Sequence, residues 1–547
     1  DANFRFVQCR IEEFQREFVI TTVRTSVHIK FLILALLAAG IARSDERPNF
    51  LVIVTDDLGF TDLGAFGGHD IQTPNLDQLA LEGIRFTNFH GHARCAASRA
   101  LLMTGTGNHE AGFGTVVNIE KFRGQRGYEQ FLTKRVVTLP EILRAGGYRT
   151  YLAGKWDLKV QPSRRGFDRS MAILRGGSGH YEAINPWVRY TRNGERVVEP
   201  AEPTYSTTLF ADAMISFLEE DRTDDRPYFA LFAPSAPHWP LHSPPGMRDA
   251  YAGEYDDGYE ALREQRVRGA EAAAVLPEGI ELADSKSRAP PWRSLGSEEK
   301  KINARVMEIY AAMTTHLDAE VGRLLEALRE LGALENTLIM YINDNGAEGG
   351  PIFRPPQSEV AASKTNNNFE NLGASNSWAH MGQGWAEAVN APFRDTKGSV
   401  YEGALRVAAF AHWVGADHSE SINRQYLDNM DLMPTLLELA GISHPAPRFH
   451  DREVLPMRGK SFAGILRGDS GIVHTSDQTI ALSTAGRHFM YRGNLKLLKE
   501  LGSDWELYDL AADPYEQHNL AGARPELLQE LLVEFKDQAA KSNILDR

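Results

Sequence analysis

The sequence predicts an α/β fold: a large, mostly parallel sheet sandwiched by helices, followed by a small C-terminal antiparallel sheet with one helix. Three observations predict this fold. Continuous apolar runs rich in β-branched residues alternate with helical patterns along most of the chain. After about residue 455 the pattern changes to short strand-like runs. The 547 residues, of which 42% are hydrophobic, suffice for one large domain and a smaller one.

The main domain, residues 45–455, contains the alternating elements. They are the strand 49–54, the helix 73–84, the helix 138–147 with the strand 148–154, the helix 208–220 with the strand 228–234, and the helix 303–331 with the strand 336–342. The run NFLVIV at 49–54 is apolar throughout, which is typical of a parallel strand buried on both faces. Thr73 precedes Pro74 and is therefore the candidate N-cap of its helix.

The C-terminal subdomain, residues 456–547, has a different pattern. Its strand-like runs are RHFMYR, LKLLK and WELYDL, and a final helix is predicted near 524–541. Short strands close together in sequence favour antiparallel pairing, because parallel strands need long crossover connections.

The N-terminal region, residues 1–44, has the features of a leader. Lys30 precedes the apolar run FLILALLAAGIA at 31–42, and polar residues follow it. Twelve apolar residues are too few to span a bilayer as a helix, and the basic flank and small residues are typical of a secretory signal peptide. We therefore expect a periplasmic or secreted protein with no stable membrane span in its mature form.

Acidic residues follow two of the predicted strands. Asp56 and Asp57 come after the first strand, and Asp344 and Asn345 come after the strand 336–342. Because ligands collect at the carboxyl ends of parallel strands, these side chains are expected to converge there. Three carboxylates and one amide form an oxygen-rich set suited to Ca²⁺ or Mg²⁺. One such pair alone would usually only shape a turn, but two pairs favour a metal site.

Basic side chains and a cysteine belong to the same candidate site. Lys155, His238 and Lys397 follow strands or lie in loops, and Cys95 and Arg99 open a predicted helix whose N-terminus favours negative charge. Each residue alone has an ordinary structural explanation, such as a solvated lysine or a buried thiol. Together they predict a site for a tetrahedral oxyanion, a sulfate or phosphate ester.

Charge and cysteine content exclude some classes of protein. A net charge of −14 without a long basic tract argues against a nucleic-acid binder. The two cysteines, Cys9 and Cys95, cannot form a disulfide framework.

The segment from Cys95 to Arg99, continuing through ALLMTG, resembles the signature of the formylglycine-dependent sulfatases of the alkaline phosphatase superfamily. The resemblance extends from residue 47 to about 522 and includes TPNLDQLALEGIRFTNF, GKW, SAPHWPL, NDNGAEGG and KGSVYEGALRV. The segments LLMTGTGNHEAGFGT and SAPHWPL are most similar in sequence to those of bacterial arylsulfatases. Ala97 stands where many members of the family have proline.

The resemblance implies a function, a modification and a metal. The main domain would be a sulfatase catalytic domain that cleaves small-molecule sulfate esters. A separate maturation enzyme would oxidise Cys95 to Cα-formylglycine. Calcium, rather than magnesium, would be held by the residues Asp56, Asp57, Asp344, Asn345 and the modified residue 95. Arg99, Lys155, His238 and Lys397 would surround the sulfate and the leaving group.

One residue departs from the family pattern Gly-Lys-Trp-His-Leu-Gly. Asp157 occupies the position of the histidine, which in the family is the candidate base for sulfate release. An aspartate can also accept a proton, so we expect an active but slow enzyme. Two alternatives remain open: a phosphonate or phosphodiester hydrolase of the same superfamily, and a catalytically impaired relative that only binds anions.

Overall fold

The large sheet is built around β1, Asn49–Thr55, whose side chains are buried on both faces. The computed structural model describes residues 47–117, 119–176, 179–181, 190–197, 204–276, 287–356, 359–414, 418 and 421–545. The predicted leader, residues 1–44, lies outside the described residues.

Eleven strands of the described chain form this sheet. They are β1, β2 Ile84–His90, β3 Arg149–Lys155, β4 Arg169–Ile173, β5 Tyr190–Arg192, β6 Glu195–Arg196, β7 Tyr228–Ala233, β8 Thr337–Asn343, β9 Arg406–Trp413, β10 Ser421–Asn423 and β11 Leu427–Asp428. The order is β10-β2-β9-β8-β1-β7-β3-β4-β5-β6, and β11 pairs with β2. The central strands β8, β1, β7, β3 and β4 are all parallel, and β9 runs antiparallel to both of its neighbours. The predicted mostly parallel sheet is confirmed.

The α-helices connect these strands and cover the sheet. They are α1 Pro74–Glu82, α2 Cys95–Thr104, α3 Asn108–Ala111, α4 Leu139–Ala145, α5 Ser206–Glu220, α6 Tyr259–Ala272, α7 Ser297–Glu330, α8 Glu359–Lys364, α9 Gln383–Val389, α10 Glu402–Leu405, α11 Leu432–Leu439, α12 Ala463–Leu466 and α13 Pro525–Ser542. Short 3₁₀ helices lie at Gly64–Phe66, Glu120–Phe122, Pro162–Arg165, Trp292–Ser294, Leu334–Asn336, Phe369–Asn371 and Asn429–Asp431. Among the helices described, none combines the length and the hydrophobicity needed to cross a membrane.

The alternation of side chains along β1 divides the core into two layers. Leu51 and Ile53 pack with α1, α5, α7 and α9 on one face of the sheet. Phe50, Val52 and Val54 pack with α2, α4 and α11 on the other. Successive side chains of a strand point to opposite faces, so an apolar run of this kind must be covered on both sides.

The C-terminal strands form a separate four-stranded antiparallel sheet, as the sequence predicted. Its strands are β14 Thr479–Thr484, β15 Arg487–Arg492, β16 Leu495–Lys499 and β17 Glu506–Asp509, in sequential order. A two-stranded hairpin, β12 Arg448–Phe449 with β13 Arg452–Glu453, precedes it. One face of the small sheet packs on α13, and the other packs on Leu101 of α2 and on α10. The small sheet thus supports the helix that begins at Cys95.

The predicted elements agree with the structure to within a few residues, with specific differences. Strands β2, β9 and β14 had not been predicted, and α7 begins at Ser297, six residues before the predicted helix. Thr73 occupies the N-cap position of α1, but its side chain makes no capping bond. The Thr73 hydroxyl instead donates to Asp77 Oδ2 at 3.0 Å.

Candidate active site

The candidate site residues lie at the carboxyl ends of four adjacent parallel strands. Asp56 and Asp57 follow β1, Asp344 follows β8, His238 lies in the loop after β7, and Lys155 ends β3. Because β8, β1, β7 and β3 are neighbours in the sheet, residues far apart in sequence meet at one edge.

A left-handed turn brings the two acids of the first strand together. Asp57 has a φ of 66°, so the chain bends directly after β1. The Asp344 N–H donates to the Thr55 carbonyl at 3.1 Å, and the Asp57 N–H faces Asp344 Oδ1 at 3.4 Å. The two acidic loops are therefore joined by one backbone bond and one backbone-to-side-chain contact, as convergence of the two acidic pairs requires.

Cys95 is the first residue of α2, at the N-terminus predicted from the sequence. Its Sγ lies 3.9 Å from Asp57 Oδ1, and the residue is 7% exposed. The Ser98 hydroxyl accepts from the His92 N–H at 2.6 Å and donates a short bond to the Asp344 carbonyl, which ties the helix to the acidic loop. Burial raises the pKa of the Cys95 thiol well above its ordinary value.

Three buried ion pairs connect the cations and the carboxylates. Lys155 Nζ lies 2.6 Å from Asp56, Lys397 Nζ lies 2.6 Å from Asp57, and Arg99 lies 2.9 Å from Asp344. Burial alone raises the pKa of the Asp56 carboxyl, but Lys155, His238 and Arg99 outweigh it, and this pKa falls below its ordinary value. Burial lowers the pKa of Lys155, but Asp56, Cys95 and Asp157 have the larger opposing effect. The pKa therefore lies above its ordinary value, and the ammonium stays charged.

The donor atoms fit a divalent cation. Asp56, Asp57, Cys95 and His238 each present a ligand atom, and these atoms lie within 4.8 Å of one another. The Asn345 amide donates to Asp57 Oδ1 at 2.6 Å, while its Oδ1 is buried without a hydrogen-bond partner among the described residues. A buried carbonyl oxygen without a donor is costly unless a cation or water meets it. Asp344, the other predicted ligand, is turned towards Arg99.

His238 is oriented by its backbone neighbours. Its Nδ1 lies 2.6 Å from the Trp239 carbonyl, which can only accept, so Nδ1 carries the proton and Nε2 faces Asp57 Oδ2 at 3.5 Å. His180 Nε2 in turn donates to the His238 carbonyl at 2.8 Å, and its Nδ1 accepts from the Ser206 hydroxyl at 2.9 Å. Burial lowers the pKa of His238.

Asp157 lies beside the cations of the site. It has a φ of 56° and is 9% exposed, and its Oδ1 accepts from the Gly176 N–H at 2.6 Å. Its Oδ2 has no hydrogen-bond partner in the described part of the chain. Lys159 Nζ, two residues further on, bonds Gln130 Oε1 at 3.3 Å.

Comparison with known proteins decides the family. The family model "Sulfatase" matches residues 48–442. This chain belongs to the sulfatase family.

Two relatives align with most of the sulfatase chain. It is 37% identical to an uncharacterized sulfatase of Schizosaccharomyces pombe, over 91% of this chain and 95% of that protein. It is 33% identical to an arylsulfatase of Klebsiella aerogenes, over 79% and 94% of the two chains. A second model, "N-sulphoglucosamine sulphohydrolase, C-terminal", matches residues 393–542.

The fold of the sulfatase is shared with solved structures. The PsFucS1 sulfatase from Pseudoalteromonas sp. superposes with a TM-score of 0.61 at 20% identity, covering 94% of this chain and 95% of that one. The sheet with its helical layers and small C-terminal sheet is that of sulfatases with the alkaline phosphatase fold.

The structure of the sulfatase adds site residues that the sequence analysis left without a role. Glu348 lies 3.4 Å from Lys397 Nζ and accepts a short bond from the Trp239 indole. Burial raises the pKa of Glu348, but the opposing effects of Lys397, His238 and His380 are larger together and lower this pKa to about 2. Its position three residues after Asn345 is the sequence signal that could have identified Glu348.

Proposed function

We propose that this sulfatase hydrolyses sulfate monoesters, aryl sulfates among them, with Cα-formylglycine made from Cys95 and with a bound divalent cation. The observation that carries the proposal is the position of Cys95. It opens α2 at the point where three buried carboxylates and three buried cations meet. A helix N-terminus favours an anion at this position.

The formal charges of the site suit a sulfate group once a cation is present. The carboxylates of Asp56, Asp57 and Asp344 balance the cations of Arg99, Lys155 and Lys397. A divalent ion bound among these paired groups would supply positive charge for the sulfate and for the charge that develops on it. Ca²⁺ is favoured over Mg²⁺ because the ligands are carboxylate and amide oxygens on loops, which tolerate irregular coordination.

A bound divalent ion and a formylglycine at position 95 would each supply one kind of chemistry. A divalent ion there supplies a Lewis acid for a sulfate oxygen. A formylglycine hydrate supplies two hydroxyls on one carbon, one to attack sulfur and the other to allow sulfate to leave. A separate maturation enzyme would produce the aldehyde.

The chain's own residues bind the substrate and move protons. Lys155 and Arg99 fix the sulfate oxygens at the α2 end of the site. Either His238 or Lys397, on the side of Trp239 and Glu348, would donate a proton to the leaving oxygen. Asp157 accepts a proton through Oδ2, while Gly176 holds its other oxygen.

The N-terminal region completes the proposal. Residues 1–44 would direct export to the periplasm or the medium, and residues 45–455 and 456–547 would be the catalytic domain and its C-terminal subdomain. The short apolar run at 31–42 behind Lys30 supports export.

The test is the choice between sulfur and phosphorus. We expect kcat/KM for 4-nitrophenyl sulfate to exceed that for 4-nitrophenyl phenylphosphonate, and Cys95→Ala to abolish turnover of both. A higher kcat/KM for the phosphonate would identify the alternative hydrolase. Sulfate binding without turnover of either ester, in protein whose residue 95 is modified, would identify a non-catalytic relative.

A further inference from the structure

A cavity lies near Asp157, at the edge of the sheet that carries the active site. It has a volume of about 960 Å³, and Lys159 and Arg175 line it where the chain leaves β3 and β4. β3 and β4 are the next strands in the sheet beyond β7, so the cavity extends the row of strand ends that holds the site. Asp157 joins the two, because its carboxylate accepts the N–H of Gly176, the neighbour of Arg175.

The cavity has a surplus of positive charge. Its two carboxylates are already paired, Glu120 with Arg123 at 3.3 Å and Glu129 with Arg135 at 2.7 Å. Lys159 bonds the neutral Gln130 side chain at 3.3 Å. Within the described residues, neither Lys159 nor Arg175 has a carboxylate at ion-pair distance. Two cations are thus available for an anion.

Aromatic side chains form another wall of the same cavity. Phe131 is 48% exposed, which is unusual for so large an apolar side chain. Phe122 and Tyr128 also line the cavity and stack with their ring centroids 4.4 Å apart. Apolar walls with a few polar groups are typical of small-molecule sites, and a volume near 1,000 Å³ exceeds what one ring needs.

We propose that this cavity binds the leaving group of an extended substrate, a disaccharide-sized sulfate ester with a second anionic group. The inference rests on the proposed function. The scissile sulfate would lie at Cys95, one ring would pack on Phe131, and a second sulfate or a carboxylate would contact Lys159 and Arg175. Release of the leaving group as an alcohol requires no further chemistry in the cavity.

Binding without turnover tests this assignment. In Cys95→Ala protein, calorimetry would compare a disaccharide sulfated on both rings with the same disaccharide sulfated on one. We expect the doubly sulfated ligand to bind at least about tenfold more tightly, since a hydrogen bond to a charged group contributes about 1.5–3 kcal/mol. Lys159→Gln with Arg175→Gln should abolish this preference. Lys121→Gln, an exposed lysine of the 3₁₀ helix Glu120–Phe122 that does not line the cavity, should preserve it.

Equal affinity for the two ligands, or a preference that survives the double variant, would overturn the proposal. Thermal melting of each variant shows whether the fold is retained, and the comparison of the two ligands on Cys95→Ala protein alone still decides the matter. Turnover of 4-nitrophenyl sulfate by the unmutated enzyme tests the proposed function separately. The preference without any sulfatase turnover would support the cavity assignment and contradict that function.

Discussion

At the scale of single residues, Asp157 departs from the family pattern, which has a histidine at this position, and this difference has a direct kinetic consequence. Its carboxylate adds a negative charge beside a sulfate, whereas an imidazole could accept the same proton without that charge. We predict that Asp157→His raises steady-state kcat on 4-nitrophenyl sulfate and shortens the slow phase after any initial burst. Asp157→Asn, which cannot accept the proton, should lower kcat by about 10²–10⁴-fold.

Stopped-flow measurement of 4-nitrophenol release separates the two phases. Asp225→Asn, an exposed carboxylate that precedes β7 and so lies before the opposite end of that strand from His238, is the matched control. If Asp157→His leaves both phases as they are, Asp157 is not the base.

Asn345 provides the sharpest test of the metal. Its buried Oδ1 lacks a donor among the described residues, so a cation is its natural partner. We predict that Asn345→Ala lowers Ca²⁺ affinity by at least about tenfold, the loss usual even for residues that only orient a ligand. Calcium titration of chelator-treated protein measures this, with the exposed Asn368→Ala as control. Unchanged affinity, or full activity in metal-free protein, would contradict the site.

The site could be predicted from sequence only in part. Adjacent acids after strands predicted convergence, because neighbouring parallel strands end at one edge. Glu348 and Lys397 are 49 positions apart in sequence, and their contact depends on how two loops fold back. The position of Glu348 after Asn345 could mark it as a site residue, but no local sequence pattern predicts its contact with Lys397. Likewise, the bond from His180 to the His238 carbonyl joins two separate loops.

At the scale of elements, one buried lysine links the small sheet to the large one. Lys496 of β16 contacts Glu402 of α10 and Glu516, each at 2.7 Å, and all three side chains are 0% exposed. Glu402 also bonds His90 of β2 at 2.9 Å. The fully desolvated cation thus holds together carboxylates from two parts of the fold.

We predict that Lys496→Met destabilises the protein by about 3–5 kcal/mol, because it leaves two buried carboxylates without their cation. Urea unfolding would measure the loss, with Lys499→Met on the same strand, a partly exposed position, as control. Equal free energies of unfolding for the two variants would show that the pairing adds nothing to stability.

The missed strand β2 depends on partners that are distant in sequence. The strand β2, IRFTNFH, contains polar residues and lacks the continuous apolar run of β1. Its Arg85 is nevertheless 5% exposed, because its guanidinium donates to the carbonyls of Ala65 and Ala273. Such long-range partners make a buried arginine tolerable and cannot be inferred from the strand itself. By contrast, β1, β7 and β8 were predicted because apolar runs suffice to bury them.

At the scale of the whole molecule, buried histidines make stability depend on pH. Burial lowers the pKa of His92 and of His109 to about 3. In the unfolded chain both titrate near about 6.5, so on acidification the unfolded state binds protons first. Their contribution is complete above about pH 6.5 and falls by up to about 1.4 kcal/mol per pH unit for each histidine as the pH drops towards 3.

We therefore predict that His109→Gln flattens the fall in the free energy of unfolding between pH 6.5 and 5, whatever its effect at pH 7. Urea unfolding at several pH values measures the slope. The exposed His69→Gln serves as control and should retain the slope of the unmutated protein. An unaltered slope in His109→Gln would mean that this histidine is not neutral in the fold.

The most direct test of the central claim is the mass of the proteolytic peptide that carries residue 95, measured alongside activity. In protein from a host with a maturation enzyme, we predict that the side chain at 95 is an aldehyde. The fraction of aldehyde should rise in proportion to kcat across preparations, and Cys95→Ala protein should fold without turnover. An intact thiol throughout a fully active preparation would contradict the account.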